Sequence, residues 1–183
     1  MLRGRPLAVI AVVALAVLAV WLAVSHFRRS AVPAPPPGWD AIDHVADGDT
    51  VVLRGHVTVR LVQIDTPEVY FTPECYGEQA SAETKRLLPR GTLVQLERDP
   101  ATGSKDVYGR LLRYVIRSDG LNVNLYLVAH GFAAPYFFES VPGEYADVLL
   151  HDAEAARDSG IGLWGACPGT KLAPDEGVST GPP

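Results

Sequence analysis

Residues 57–68, VTVRLVQIDTPE, decide how this chain folds. Val57 to Ile64 is a β-branched run and reads as the clearest strand of the sequence. Asp65 and Glu68 close it, and Pro67 stiffens the exit. Strand parity puts Arg60, Val62 and Ile64 on one face and Asp65 on the other. Arg60 and Asp65 converge only if the strand bends or ends near Ile64. Upstream, 43–54 alternates loosely around the turn Asp47-Gly48-Asp49, and Arg54-Gly55-His56 reads as a hairpin turn into the strong strand. Downstream, GEQASAETKRLL at 77–88 has helical spacing that places Ala80, Thr84, Leu87 and Leu88 on one face. Strands are expected at 93–97 and 110–116, a short helix at 122–130, and a second amphipathic helix at 145–158. Val148, Leu149, Ala153 and Ala156 are the expected core positions of the latter. Three strands, a helix, two strands and further helices suit a β-barrel with helices (α+β), five-stranded, with a helix between strands three and four.

The 183 residues suit one domain with appendages. Leu7 to Val24 is unbroken apolar sequence, long enough as a helix (~27 Å) for the hydrocarbon core of a bilayer. Residues 1–29 are therefore expected to hold a transmembrane helix acting as an uncleaved anchor, with a signal peptide as the alternative. Basic residues flank it on both sides, so its orientation is not assigned. The stretch SAVPAPPPG at 30–38 reads as a stiff Pro-rich linker, 39–168 as the folded domain, and 169–183 as a disordered tail. All 21 acidic residues lie from Asp40 onward, whereas Arg3, Arg5, Arg28 and Arg29 of the 16 basic residues precede it, so the part beyond the linker carries −9. That charge excludes affinity for nucleic acid through a broad basic surface. A polyanion could be handled only locally, by a few placed cations or a metal.

Three clusters carry residue types that do chemistry. Asp47-Gly48-Asp49-Thr50 is, taken alone, a hairpin turn. Arg60 to Glu68 sets an arginine inside an apolar strand and two carboxylates at its end. Asp106-Val107-Tyr108-Gly109-Arg110 is a turn into the next strand. Two aspartates can hold a hard cation through oxygen, a glutamate can orient or deprotonate water, and two arginines can clamp a phosphoryl group. Together these types point to hydrolysis of a phosphodiester. The scattered histidines argue against zinc. Behind a membrane-crossing segment, Cys75 and Cys167 are expected to form a disulfide.

In order and spacing, DGDT, RLVQIDTPE, YGEQASAETKRLL, DVYGR and the helix leading to HGFA resemble the successive motifs of the staphylococcal nuclease (thermonuclease) family. The resemblance runs from about Asp43 to Trp164 and implies an OB-fold barrel of five strands with about three helices. It further implies Ca²⁺ as cofactor, held by Asp49 and Asp65 through carboxylates and by Thr66 through its backbone carbonyl. Glu68 would be the general base or water-positioning group, and Arg60 and Arg110 would bind the scissile phosphate. Tyr108, Tyr136 and Phe138 could line the nucleotide pocket, where stacking tolerates any base. DNA and RNA would be substrates, cut to products ending in 3′-phosphate. Val107 stands where many relatives carry a basic residue. His44, Trp39 and Trp164 are expected to pack rather than to act. The expected setting is the cell membrane, with the domain outside the cytoplasm, or secretion. No protein partner is implied, and a monomer is expected. A module of another class, an OB-fold that binds nucleic acid or nucleotides with weak or no catalysis, is the alternative.

Overall fold

The computed structural model of the chain describes Ala16, Val17 and residues 34–183. The expected transmembrane helix, apart from Ala16 and Val17, and residues 30–33 of the Pro-rich linker lie outside the described residues. Among those described, no helix is long and apolar enough to cross a membrane.

Among the described residues seven strands occur: β1 (Asp40–Val45), β2 (Thr50–Leu53), β3 (Thr58–Leu61), β4 (Ile64–Asp65), β5 (Leu93–Glu97), β6 (Leu111–Arg117) and β7 (Ala134–Pro135). Five of them close into a barrel in the order β1-β2-β3-β6-β5. Neighbours are antiparallel except β3 and β6, which run parallel with Val59 opposite Leu111. Closure removes the exposed edges that an open sheet would present. The inward residues are those that the alternation demands: Ile42, Val51, Leu53, Val59, Leu61, Val94 and Val115 are all buried. The five-stranded barrel with an intervening helix is thus as the sequence led us to expect, and it is an OB-fold.

Among the described residues three helices of seven residues or more accompany the barrel: α1 (Gly77–Leu87), α2 (Val123–Ala129) and α3 (Ala146–Asp158). A single turn, α4 (Leu163–Ala166), follows. Helix α1 buries Ala80, Thr84 and Leu87, with Leu88 just beyond. The Asn122 side chain caps α2 by accepting from the Leu125 amide at 3.2 Å. In α3 the buried stripe is Ala146, Leu149, Ala153 and Ala156. Val148, expected in the core, is instead exposed. It sits one residue, and so about 100° of helical turn, away from Leu149 at the centre of that stripe. His44 is also at the surface, beside Asp43, whereas Trp164 packs against the core.

Cys75 and Cys167 are joined by a disulfide across 92 positions of sequence. The segment after Cys167 has no helix or strand. It is nonetheless not a free tail: Val178 and Thr180 are buried, and five hydrogen bonds tie residues 174–181 to the barrel side. Its Pro- and Gly-rich composition denies it regular structure without denying it contacts.

Candidate active site

The strong strand of the sequence is not one strand. It breaks at Val62–Gln63, between β3 and β4. Gln63 is in the left-handed region, with φ 64°, a conformation that costs a non-glycine residue about 1–2 kcal/mol. Partners hold it there. Its Oε1 accepts from the Gly143 amide at 2.6 Å, and its Nε2 donates to the Val141 carbonyl at 3.1 Å. The fully buried Asn124 of α2 fastens the same turn. Its Nδ2 donates to the Val62 carbonyl at 2.9 Å, and its Oδ1 accepts from the Val115 amide at 3.0 Å. After the turn, β4 pairs with β7 instead of continuing the barrel.

That break brings Arg60 and Asp65 to one place. Nη2 of Arg60 lies 2.7 Å from Asp65 Oδ1 and 3.0 Å from Asp49 Oδ2. Its Nη1 donates to the carbonyls of Leu61 and Ile64, each at 2.8 Å. The arginine is thereby fixed from both sides, with only 14% of its side chain exposed. Asp49 comes from the β1–β2 turn and is held by Thr66. The Thr66 amide and hydroxyl both donate to Asp49 Oδ2 at 3.0 Å. Gly48 makes this approach feasible, because a Cβ there would lie 2.4 Å from Thr66 Oγ1. The Gly48 carbonyl in turn accepts from Thr84 Oγ1 of α1 at 2.6 Å.

Glu68 stands at the exposed rim, its amide donating to Glu74 Oε2 at 3.0 Å. Arg110 precedes β6 and is oriented by Asp106, whose Oδ2 accepts from Nε at 2.6 Å. Asp106 Oδ1 accepts from the amides of Tyr108 and Arg110. Arg110 Nη1 reaches Thr50 Oγ1 at 3.5 Å, and Thr50 Oγ1 donates to Asp49 Oδ1 at 3.3 Å. The second arginine therefore connects to the aspartate cluster through Thr50. Of the aromatic candidates, Tyr108 is exposed with its ring 5.4 Å from the Arg110 guanidinium. Tyr136 and Phe138 meet edge to face at 6.4 Å.

The electrostatics follow from crowding acid groups in a partly dry cleft. Burial raises the Asp65 pKa to about 6, with Asp49 and Glu68 adding to it and Arg60 and the Val178 amide opposing. Partial burial, then Asp49 and Asp47, raise Glu68 above the ordinary carboxylate range. Burial and Asp49 raise Asp47 likewise. Burial works against the charge of Asp106, but hydrogen bonds from Arg110 outweigh it and lower that pKa.

Among the described residues no group of three or more His, Cys, Asp or Glu side chains is placed to hold a metal. Two carboxylates, from Asp49 and Asp65, do converge on a single cationic nitrogen. A hard divalent ion completes its shell with backbone carbonyls and water, so an all-oxygen pair of aspartates at one positive centre fits such an ion. The structure thus gathers Asp49, Arg60, Asp65 and Thr66 into one cluster, links Arg110 to it, and sets Glu68 within its field. Several contributors escaped the sequence reading, Gln63 of the turn and Asn124 that fastens it among them. The Thr66 side chain, Asp47 and Asp106 lay inside quoted motifs, but nothing there distinguished them from turn residues. Val178 carried no local signal at all.

Residues 58–166 match the family described as staphylococcal nuclease homologue. The matched span contains Arg60, Asp65, Thr66, Glu68 and Arg110; Asp49 precedes it. The chain is 36% identical over 150 residues to Endonuclease YhcR of Bacillus subtilis (strain 168), covering 72% of this chain and 12% of that protein. It is 32% identical over 131 residues to Thermonuclease of Staphylococcus intermedius, covering 67% of this chain and 74% of that one. An uncharacterized endonuclease of Escherichia coli O157:H7 is 36% identical over 123 residues, with 66% and 72% covered. The chain thus spans about an eighth of the first of these relatives and roughly three quarters of the other two.

Proposed function

Because the chain belongs to the staphylococcal nuclease family, we propose that it is a Ca²⁺-dependent phosphodiesterase that cuts DNA and RNA to products ending in 3′-phosphate. The observation that carries this reading is the meeting of Asp49 and Asp65 at Arg60 Nη2.

Asp49, Asp65 and the Thr66 carbonyl would hold Ca²⁺, which when bound supplies positive charge to a phosphoryl oxygen. Glu68 takes a proton from water, whose oxygen attacks phosphorus. The bond from phosphorus to the 5′ oxygen breaks, and that oxygen leaves as a hydroxyl by taking a proton from solvent water, to which Glu68 returns its own. Arg60 and Arg110 neutralise charge that grows on the phosphoryl oxygens. Arg110 is already aimed by Asp106, so little ordering entropy is lost when phosphate arrives. Tyr108, exposed over Arg110, offers a ring on which a base can stack. With the part beyond the linker at −9, these few placed cations must do what a basic surface does elsewhere.

The domain is proposed to work outside the cytoplasm, membrane-tethered through the apolar stretch 7–24 or secreted. The Cys75–Cys167 disulfide favours an oxidising compartment. The test is digestion of plasmid DNA and of RNA by the purified protein with Ca²⁺ and with chelator. Cleavage that needs Ca²⁺ and yields 3′-phosphate ends supports the reading. Saturable oligonucleotide binding without cleavage, at every Ca²⁺ concentration and pH, would replace it with the binding module.

A further inference from the structure

We propose that residues 174–181 form a strap that belongs to the active site, and that the backbone amide of Val178 is a positioning group that holds Asp65 for the divalent cation. The proposal rests on the nuclease reading above.

The strap is fastened at both ends. The Phe137 amide donates to the Pro174 carbonyl at 2.7 Å. At the far end the Cys75 amide donates to the Gly181 carbonyl at 2.8 Å, and Thr180 Oγ1 donates to the Cys75 carbonyl at 2.6 Å. Cys75 is itself held by the disulfide to Cys167. Ser179 Oγ reaches Glu74 Oε1 at 3.3 Å, and the other oxygen of Glu74 receives the Glu68 amide. Between these anchors the chain runs against the site. The Val178 amide donates to Asp65 Oδ2 at 2.9 Å. Gly177 has φ 79°, and a Cβ there would stand 2.8 Å from Asp65 Oδ2 and 3.6 Å from Tyr136.

The two oxygens of Asp65 therefore have separate tasks. Oδ2 is taken by the strap, and Oδ1 faces Arg60 beside Asp49. A carboxylate rotates broadly about its last torsion unless something fixes it. For Asp49 the fixing groups are the amide and hydroxyl of Thr66. For Asp65 the group is an amide 113 residues further along the chain. Groups that orient metal-ligating side chains set metal affinity, and losing one weakens it about 10–100-fold.

The experiment compares Val178→Pro, which has no amide hydrogen, with Val178→Ala, which keeps it, both in the full chain. Ca²⁺ affinity is read by calorimetric titration, and cleavage of an oligonucleotide is read separately at saturating Ca²⁺. Val178→Pro should weaken Ca²⁺ binding about 10–100-fold, with most of the rate restored at saturating Ca²⁺. Val178→Ala should bind as the parent does. In an Asp65→Asn background Val178→Pro should add nothing, which a general loss of stability would not produce. If Val178→Pro does not fold, Gly177→Ala, whose Cβ would stand 2.8 Å from Asp65 Oδ2, serves and should show the same weakened binding. Parental Ca²⁺ affinity in Val178→Pro or in Gly177→Ala overturns the proposal alone. A parent protein that binds no Ca²⁺ overturns it together with the nuclease reading.

Discussion

Arg60 and Asp65 meet at 2.7 Å, although an unbroken strand would have turned them to opposite faces. The break at Val62–Gln63 makes the meeting feasible, and the left-handed Gln63 makes the break. One guanidinium then neutralises two aspartates drawn from separate turns. Removing it should be felt in folding as well as in catalysis. Arg60→Ala leaves two facing carboxylates without their partner, and loss of one member of a buried pair costs about 3–5 kcal/mol. Urea unfolding in metal-free buffer should show a loss of that order, partly recovered when Ca²⁺ is added. Unchanged stability would mean that the pair is solvated rather than structural.

Glu68→Gln preserves shape and removes the base. Initial rates of plasmid cleavage should drop at least ~10²-fold, the scale of general acid–base assistance, with Ca²⁺ binding and the far-ultraviolet dichroism unaltered. Activity within a few fold of the parent would move the proton-accepting role away from Glu68.

Asp65 gives the metal-free protein a pH dependence with a definite sign. Its pKa rises from the ordinary 3.8 to about 6 on folding, so the folded state binds the extra proton between those values. The stabilising contribution is complete below about pH 4 and is lost as pH climbs through 6. In chelator, Asp65→Asn should therefore gain in melting temperature relative to the parent between pH 4 and 7. Parallel curves for the two proteins would contradict the shift. With Ca²⁺ present the trend of the parent should reverse, because the cation competes with that proton.

The disulfide closes a loop of 92 positions. On the chain-entropy account this constrains the unfolded state by up to ~4.6 kcal/mol. The Cys75→Ser, Cys167→Ser double variant should unfold at markedly lower denaturant, and peptide mapping of the parent should recover the 75–167 linkage. Because the strap is fastened to the backbone of Cys75, the variant should also bind Ca²⁺ more weakly.

Asn124 is buried and bridges Val62 and Val115. Asn124→Ala leaves a buried carbonyl and amide unpaired, at about 1–3 kcal/mol for each such group. Thermal unfolding should report the loss, and the catalytic rate should fall with it, since the Val62–Gln63 turn loses its clamp.

What could be seen in the sequence was local. The β-branched run 57–64 marked a strand, and i, i+4 spacing marked Ala80 and Thr84 as a helix face, because those periods are set by backbone geometry alone. The motifs around Asp49, Arg60 to Glu68 and Arg110 placed most of the candidate site, because its residues sit close to strand ends in short runs. The phase of α3 could not be read with the same certainty. Val148 and Leu149 are equally apolar, and only packing against α2 and β7 selects which of them is buried.

By itself, then, the sequence determined the five barrel strands, the buried face of α1 and the residue types of the site, since each depends on neighbours within a few positions. Tertiary structure alone decided that the strong strand breaks at Gln63, that Thr66 holds Asp49, that Asn124 clamps the turn, and that residues 174–181 lie against Asp65. Those are hydrogen bonds between residues from 17 to 113 positions apart. No local period encodes such pairings. They exist because closing the barrel brings the groups together and burial leaves each polar atom in need of a partner.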